Sequence, residues 1–142
     1  MKFKTEISAG GIVYKRNNNQ TLWLVIQNSG HKGWGFPKGL VGDKIRNESL
    51  ETAALREVKE EGGVEAKIVN PAPVITHYTY RFQDYLIKKT VSYFLMEYLS
   101  GKIEDHDQEV GDIKFLSSDE VKQLLTYKAD KEAFDTALSL YI

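Results

Sequence analysis

The chain has 142 residues, 42% of them hydrophobic and 27% charged, which predicts one domain spanning residues 1–142 and excludes both a disordered chain and two full-sized domains. Its 19 Lys and Arg stand against 20 Asp and Glu, a formal net charge of -1, so no overall positive field gathers long nucleic acids, although local lysines remain available to small anions. Cysteine is absent, which excludes disulfides, thiolate metal sites and cysteine nucleophiles, and no apolar run approaches the ~20 residues of a bilayer span; the expectation is a soluble, cytoplasmic protein with no membrane attachment.

In chain order, residues 7–14 and 22–27 are runs of β-branched and aromatic side chains separated by a polar stretch, and predict two strands joined by a hairpin loop. A loop at 28–43 holds Gly30, Gly33, Gly35, Gly39 and Gly42, a composition suited to close approach of backbone to ligand. Ser49 then stands as N-cap to a helix carrying Leu50, Ala53, Ala54 and Val58 at helical spacing, ended by Gly62 and Gly63. Residues 66–69, 74–82, 89–98 and 112–116 predict further strands, punctuated by Pro71, Pro73, Gly101 and Gly111. Ser117 lies three residues before Glu120, the spacing of a capping box, ahead of Val121, Leu124 and Leu125, and a last amphipathic run passes through Phe134, Leu138 and Tyr141. Strands, helix, strands and closing helices in this order predict an α+β fold, a mixed sheet flanked by helices in an α/β/α sandwich.

The first helix carries its charges at the wrong end. At ~100° per residue Glu57 and Glu61 fall on one line with Glu60 beside them, continuing the line of Leu50 and Ala54. Three carboxylates in a last turn repel one another and oppose the helix dipole, so something positive must compensate them. Arg56 and Lys59 supply part of that charge, as on an ordinary solvated helix. A Gly-rich loop just upstream adds backbone carbonyls, and together the two supply the oxygen donors that a hard divalent cation takes beside phosphates.

Gly42, five residues, Glu48, seven residues, Arg56-Glu57-Val58, one residue, Glu60-Glu61, one residue and Gly63-Val64 resemble the complete box of the Nudix hydrolases. Ser8-Ala9-Gly10-Gly11, Trp34-Gly35-Phe36-Pro37-Lys38-Gly39, residues 89–95 and residues 125–128 look like bacterial diadenosine tetraphosphate hydrolases; the Ser-Ala-Gly-Gly and Pro-Lys-Gly stretches also occur in RNA 5′-pyrophosphohydrolases of that family. In the family the glycine of Pro-Lys-Gly is usually the box glycine. Here Gly39 precedes Gly42 by three residues, Arg46-Asn47-Glu48 replaces the usual Pro-Gly-Glu, and either glycine is a candidate for the metal-facing turn.

The resemblance implies hydrolysis of a phosphoanhydride in a nucleoside diphosphate linked to another group. Glu57, Glu60 and Glu61 are assigned to Mg²⁺ or Mn²⁺, with the carbonyl of Gly39 or Lys38 as a further ligand. Glu57 and Glu109 are the two candidates for the general base, and Arg56 is expected to pair with Glu48 and orient the helix. Lys38, Lys89, Lys88 and His31 are candidates to hold phosphate, against the ordinary reading of solvated surface charges. Tyr78, Tyr80 and Tyr127 are candidates to stack on a base, against the ordinary reading of strand packing. His77 reads as a satisfied strand residue. Asymmetric cleavage of diadenosine tetraphosphate to ATP and AMP leads. Removal of pyrophosphate from RNA 5′ ends, sanitising of damaged nucleoside triphosphates, and a non-hydrolytic nucleotide sensor are the alternatives, the last opposed by the intact box glutamates.

Overall fold

The computed structural model describes residues 1–141. β1 (Lys2–Asn17) and β2 (Gln20–Asn28) form an antiparallel hairpin closed by Asn18 and Asn19, at φ 52° and 67°. Two left-handed residues in succession match the twist of the flanking strands, and asparagine enters that region more readily than most side chains. There follow β3 (Trp34–Gly35), β4 (Lys38–Leu40), α1 (Leu50–Gly62), β5 (Val64–Ile68), β6 (Val74–Phe82) and β7 (Tyr85–Gly101). A 3-10 turn at Ile103–Asp105, β8 (Val110–Leu116), α2 (Ser118–Leu124) and α3 (Lys128–Tyr141) complete the chain.

The eight strands make one mixed sheet with a spine β3-β2-β1-β7-β5, to which β4 pairs through β1, β6 through β7 and β8 through β2. β1 and β7 run parallel and the other pairs antiparallel. Because the central strands are covered on both faces, successive residues feed opposite cores. Ile12, Val25, Tyr93 and Leu95 face a core closed by Val121 of α2 and by Ala133, Phe134 and Ala137 of α3. Val13, Leu24, Phe94 and Met96 face another, closed by Ala53, Ala54 and Val58 of α1. The result is the three-layer α+β sandwich read from the sequence.

Helix α1 has the caps expected of it: the Ser49 side chain accepts from the Thr52 N–H, and Gly63, at φ 71°, donates its N–H to Lys59 O. The capping box of Ser117 and Glu120 is formed at the start of α2. Elsewhere the structure goes further than sequence pattern. β1 begins at Lys2 rather than at residue 7, and β7 at Tyr85 rather than 89, because residues 2–6 and 85–89 pair with each other through the backbone, which leaves no apolar period to read. The glycine-rich loop contains β3 and β4, too short for any alternation to show, and these anchor it to β2 and β1. Among the described residues no helix is long and apolar enough to cross a membrane.

Phe134 is fully buried, edge-on to Trp23 with ring centroids 5.2 Å apart and tilted against Phe36 at 5.9 Å, so it joins α3 to the sheet and to the residue preceding Pro37. Phe134→Ala is expected to cost about 3–5 kcal/mol, read from urea unfolding midpoints.

Candidate active site

Arg56, on the exit half of α1, makes a fork over Glu48: Nε donates to Oε2 at 3.1 Å and Nη2 to Oε1 at 2.6 Å. The other guanidinium nitrogen, Nη1, donates to Glu57 Oε1 at 2.7 Å and to Glu60 Oε2 at 3.4 Å. Glu48 has a side chain with 0% exposure and also accepts from the Gly42 N–H at 3.0 Å. The Arg56 hydrogen bonds hold the Glu48 carboxyl below its ordinary range and raise the guanidinium further above its own.

The two candidate glycines separate here. Gly42 takes the left-handed turn at φ 78° and offers its N–H to Glu48. Gly39, on β4, lies against Glu57, where any Cβ would overlap the carboxylate. Of the two glycines, Gly39 is the one in contact with a box glutamate, Glu57. The three residues beyond the usual spacing lie in the stretch that carries Lys44, whose Nζ sits 2.6 Å from Glu60 Oε2; that hydrogen bond raises the Lys44 pKa.

Beside this cluster opens a cavity of about 680 Å³. Lys38 and Glu61 border it on the acidic side, Lys89, Tyr78 and Tyr80 come from β6 and β7, and Glu109 precedes β8. His31, Phe36, Tyr127 and Asp130 also line it. Asn28 positions the His31 loop by accepting from the N–H groups of Gly30 and His31 at 2.8 and 3.1 Å. His31 Nδ1 accepts from the Gly33 N–H and lies 3.0 Å from the Tyr127 hydroxyl, with the two rings edge to face. The Tyr80 hydroxyl donates to Glu6 Oε1 at 2.6 Å, and Lys89 Nζ is 3.8 Å from the same oxygen.

Burial strains the charges at this boundary. It pushes the Glu61 carboxyl up to about 8, although the Lys38 N–H donates to Oε1 at 3.0 Å and pulls the other way. It raises Glu57 against the pull of Arg56, and lowers Lys89, to which Lys38 adds repulsion. It also lifts the hydroxyls of Tyr78 and Tyr80 to about 12, the latter with help from Glu6.

Of the residues singled out from sequence, the structure gathers His31, Lys38, Glu61, Tyr78, Tyr80, Lys89, Glu109 and Tyr127 round one cavity. Glu48, Arg56, Glu57, Glu60 and Gly39 form the adjoining cluster. Lys88 is exposed and does not line the cavity, and His77 meets Thr90 Oγ1 at 3.1 Å. Sequence reasoning missed Glu6, Asn28, Lys44 and Asp130. Glu6 reaches the site only through the parallel register that sets it beside Lys89, a pairing without local signal. Asp130 lies where an acidic residue in a first helical turn is unremarked.

The donor chemistry fits a hard divalent cation: Glu61 is a buried carboxyl with one backbone donor, and the Cβ-free face of Gly39 leaves Glu57 uncrowded. Among the described residues, however, no three acidic or histidine side chains close on a common point, because Glu57 turns to Arg56 and Glu60 to Lys44.

The fold is thus a mixed sheet between helices, with the glutamate-rich end of α1 against a lysine- and tyrosine-lined cavity. A model of the NUDIX domain matches residues 4–137, and the chain belongs to the NUDIX family. It is 28% identical over 143 residues to a putative mutator protein MutT4 of Mycobacterium tuberculosis, covering 96% of this chain and 56% of that protein, so the chain spans little more than half that relative's length. It is 38% identical over 68 residues to an RNA pyrophosphohydrolase of Haemophilus influenzae, covering 48% of this chain and 32% of that one. In fold it is similar to a C. elegans Ap4A hydrolase binary complex, with a TM-score of 0.75, 20% identity and 96% of each chain covered. The NUDIX domain of Shewanella oneidensis NrtR, complexed with ADP ribose, gives a TM-score of 0.71 at 20% identity, covering 97% of this chain and 89% of that one.

Gly39→Ala is expected to displace the Glu57 carboxylate, lowering phosphoanhydride turnover by at least about a hundredfold, for a stability loss of only about 1–3 kcal/mol. Steady-state kinetics beside thermal melts separate the two effects. Burial also raises the Asp130 carboxyl above its ordinary value. A carboxyl so raised contributes stability below its unfolded-state pKa and loses it as pH rises through the folded-state value. Asp130→Asn, which keeps the shape, is therefore expected to be more stable than the parent at neutral pH, with the advantage shrinking toward about pH 4, where unfolded aspartates titrate. Urea unfolding across that range reads the difference.

Proposed function

We propose that the chain is a divalent-metal-dependent phosphoanhydride hydrolase whose preferred substrate is a dinucleoside tetraphosphate, cleaved asymmetrically to ATP and AMP. One observation carries the reading: a single cavity joins the acidic end of α1, through Glu61, to Lys38, Lys89 and His31 and then to Tyr78 and Tyr127. A polyphosphate is a string of anions with a flat base at each end. The lysines and imidazole suit its phosphates, and the tyrosines suit a base, with stacking contributing on the order of 1–3 kcal/mol. The sequence similarity of residues 8–11, 34–39, 89–95 and 125–128 to bacterial diadenosine tetraphosphate hydrolases supports the same substrate.

In this reading Glu57, Glu60 and Glu61, with the carbonyl of Gly39 or Lys38, would hold Mg²⁺ or Mn²⁺. The metal's chemistry is to neutralise phosphate oxygens and make bound water acidic. Arg56 keeps the glutamates in register, and Lys44 would have to release Glu60 for that carboxylate to serve as a ligand. Water oxygen forms a new bond to a phosphorus at one end of the tetraphosphate, the bridging P–O bond breaks, and ATP leaves from AMP. Of the two candidate bases, Glu109 opens on the cavity and is exposed, whereas Glu57 is buried against Arg56 and Gly39. Glu109 is therefore assigned the water's proton. Lys38 and Lys89 hold charge that accumulates on the leaving phosphate.

The likeness to an RNA pyrophosphohydrolase over 68 residues, together with the Pro-Lys-Gly loop, favours a second reading, release of pyrophosphate from triphosphorylated RNA ends. The near-neutral charge of the chain opposes it. Diadenosine tetraphosphate, triphosphorylated RNA, ADP-ribose, and ordinary and oxidised dGTP are incubated with and without Mg²⁺ and the products resolved by chromatography. Mg²⁺-dependent ATP and AMP in preference to other products is the expected outcome; pyrophosphate from RNA as the preferred product overturns the leading reading. Glu109→Gln is expected to lower kcat by about 10²–10⁴-fold with little change in Mg²⁺ affinity. An unchanged kcat removes Glu109 from the mechanism.

A further inference from the structure

The cavity holds a carboxylate that the hydrolytic chemistry does not use. Asp130, in the first turn of α3, is buried with 7% exposure and forms part of the cavity wall. Its Oδ1 accepts from the hydroxyl of Tyr93, itself fully buried, at 2.8 Å. Its Oδ2 has no hydrogen-bond partner among the described residues and lies over Gly35, near enough to touch any side chain placed there. Lys38 acts on its charge but makes no ion pair with it, and Lys128, which also lines the cavity, is paired with Glu132. The helix N-terminus offsets part of the charge. Oδ2 is open to the cavity, where a ligand can reach it, while burial of the residue as a whole raises the Asp130 pKa.

Asp130 also sits among the groups that suit a base rather than phosphate. Tyr127 is three residues before it, Tyr78 feels its charge across the cavity, and Phe36 packs edge-on to Tyr93 beneath it. A carboxylate repels phosphate, so a ligand that fills this corner must present neutral N–H groups. We propose that Asp130 determines base specificity: its free Oδ2 accepts a hydrogen bond from the exocyclic amino group of adenine, while Tyr93 holds the carboxylate in place. The inference rests on the reading of this cavity as a nucleotide site, not on which bond of the nucleotide is cut.

The test is calorimetric titration of the intact protein with AMP and with purine riboside 5′-monophosphate, which lacks the 6-amino group. Neither ligand has a phosphoanhydride, so binding is read without turnover. AMP is expected to bind on the order of tenfold to a hundredfold more tightly. In Asp130→Ala that ratio falls to near one, through weaker AMP binding alone. Asp130→Asn keeps the test open if the alanine variant does not fold. Its amide oxygen accepts from Tyr93 and its amide nitrogen then faces the cavity, so its preference shifts toward inosine 5′-monophosphate, whose 6-oxo group accepts. Equal binding of the two purines by the parent, no binding of either, or an unchanged ratio in folded Asp130 variants overturns the proposal. Should dinucleoside tetraphosphates resist hydrolysis while the ratio collapses in Asp130→Ala, the substrate reading falls and the role of Asp130 stands.

Discussion

The guanidinium of Arg56 is the interaction on which the site depends. It engages Glu48 through two nitrogens and Glu57 and Glu60 through the third, so one rigid planar cation ties the loop after β4 to three carboxylates. Without it the last turns of α1 would concentrate negative charge at the end where the helix dipole is also negative. Glu48, with its side chain fully covered, would be left as a buried charge without a counter-ion, a loss on the order of 3–5 kcal/mol. A lysine has one compact charge in place of the fork and cannot reproduce the geometry. Because Glu48 also fixes Gly42, the fork sets the path by which the chain leaves Gly39 and enters α1.

That anchored path places unlike chemistries in sequence along one wall. The N–H of Lys38 reaches Glu61 while its side chain opens on the cavity, so a single residue of β4 joins the acidic cluster to the cationic region. Lys89 arrives from β7, held near Glu6 by the parallel pairing of β1 with β7. The tyrosines come from β6 and from the approach to α3. Four separate segments meet here, yet their spacing is set by a sheet buried on both faces, which gives side chains at its end little freedom to drift.

How much of this was legible in the sequence follows from the range of each interaction. Helix α1 carries local signals at both ends, Ser49 and Gly63, and its box glutamates share one face by helical geometry alone. Ser117 and Glu120 are likewise a local pair. The polar edge of β1 from Lys2 to Glu6 is a strand only because residues 85–89 lie beside it, and β3 and β4, of two and three residues, are too short for alternation to show. The ambiguity between Gly39 and Gly42 had the same origin, since both fit the spacing and only contact with Glu57 separates them. Asp130 carries no local signal beyond an acid at a helix start, and its place appears only when Tyr93, Gly35 and the cavity are brought together.

The perturbed groups also share a direction. Glu61 and Asp130 are raised and Lys89 is lowered, in each case chiefly by burial, so each is disfavoured in its charged form by the folded protein itself. A structural ion-pair network would settle its charges against one another; these face a cavity and remain only partly compensated. Under the proposed nucleotide reading their complements are a cation for Glu61, an amino donor for Asp130 and a phosphate for Lys89. In that reading one ligand bearing a base and phosphates together complements all three groups, where either fragment alone complements fewer.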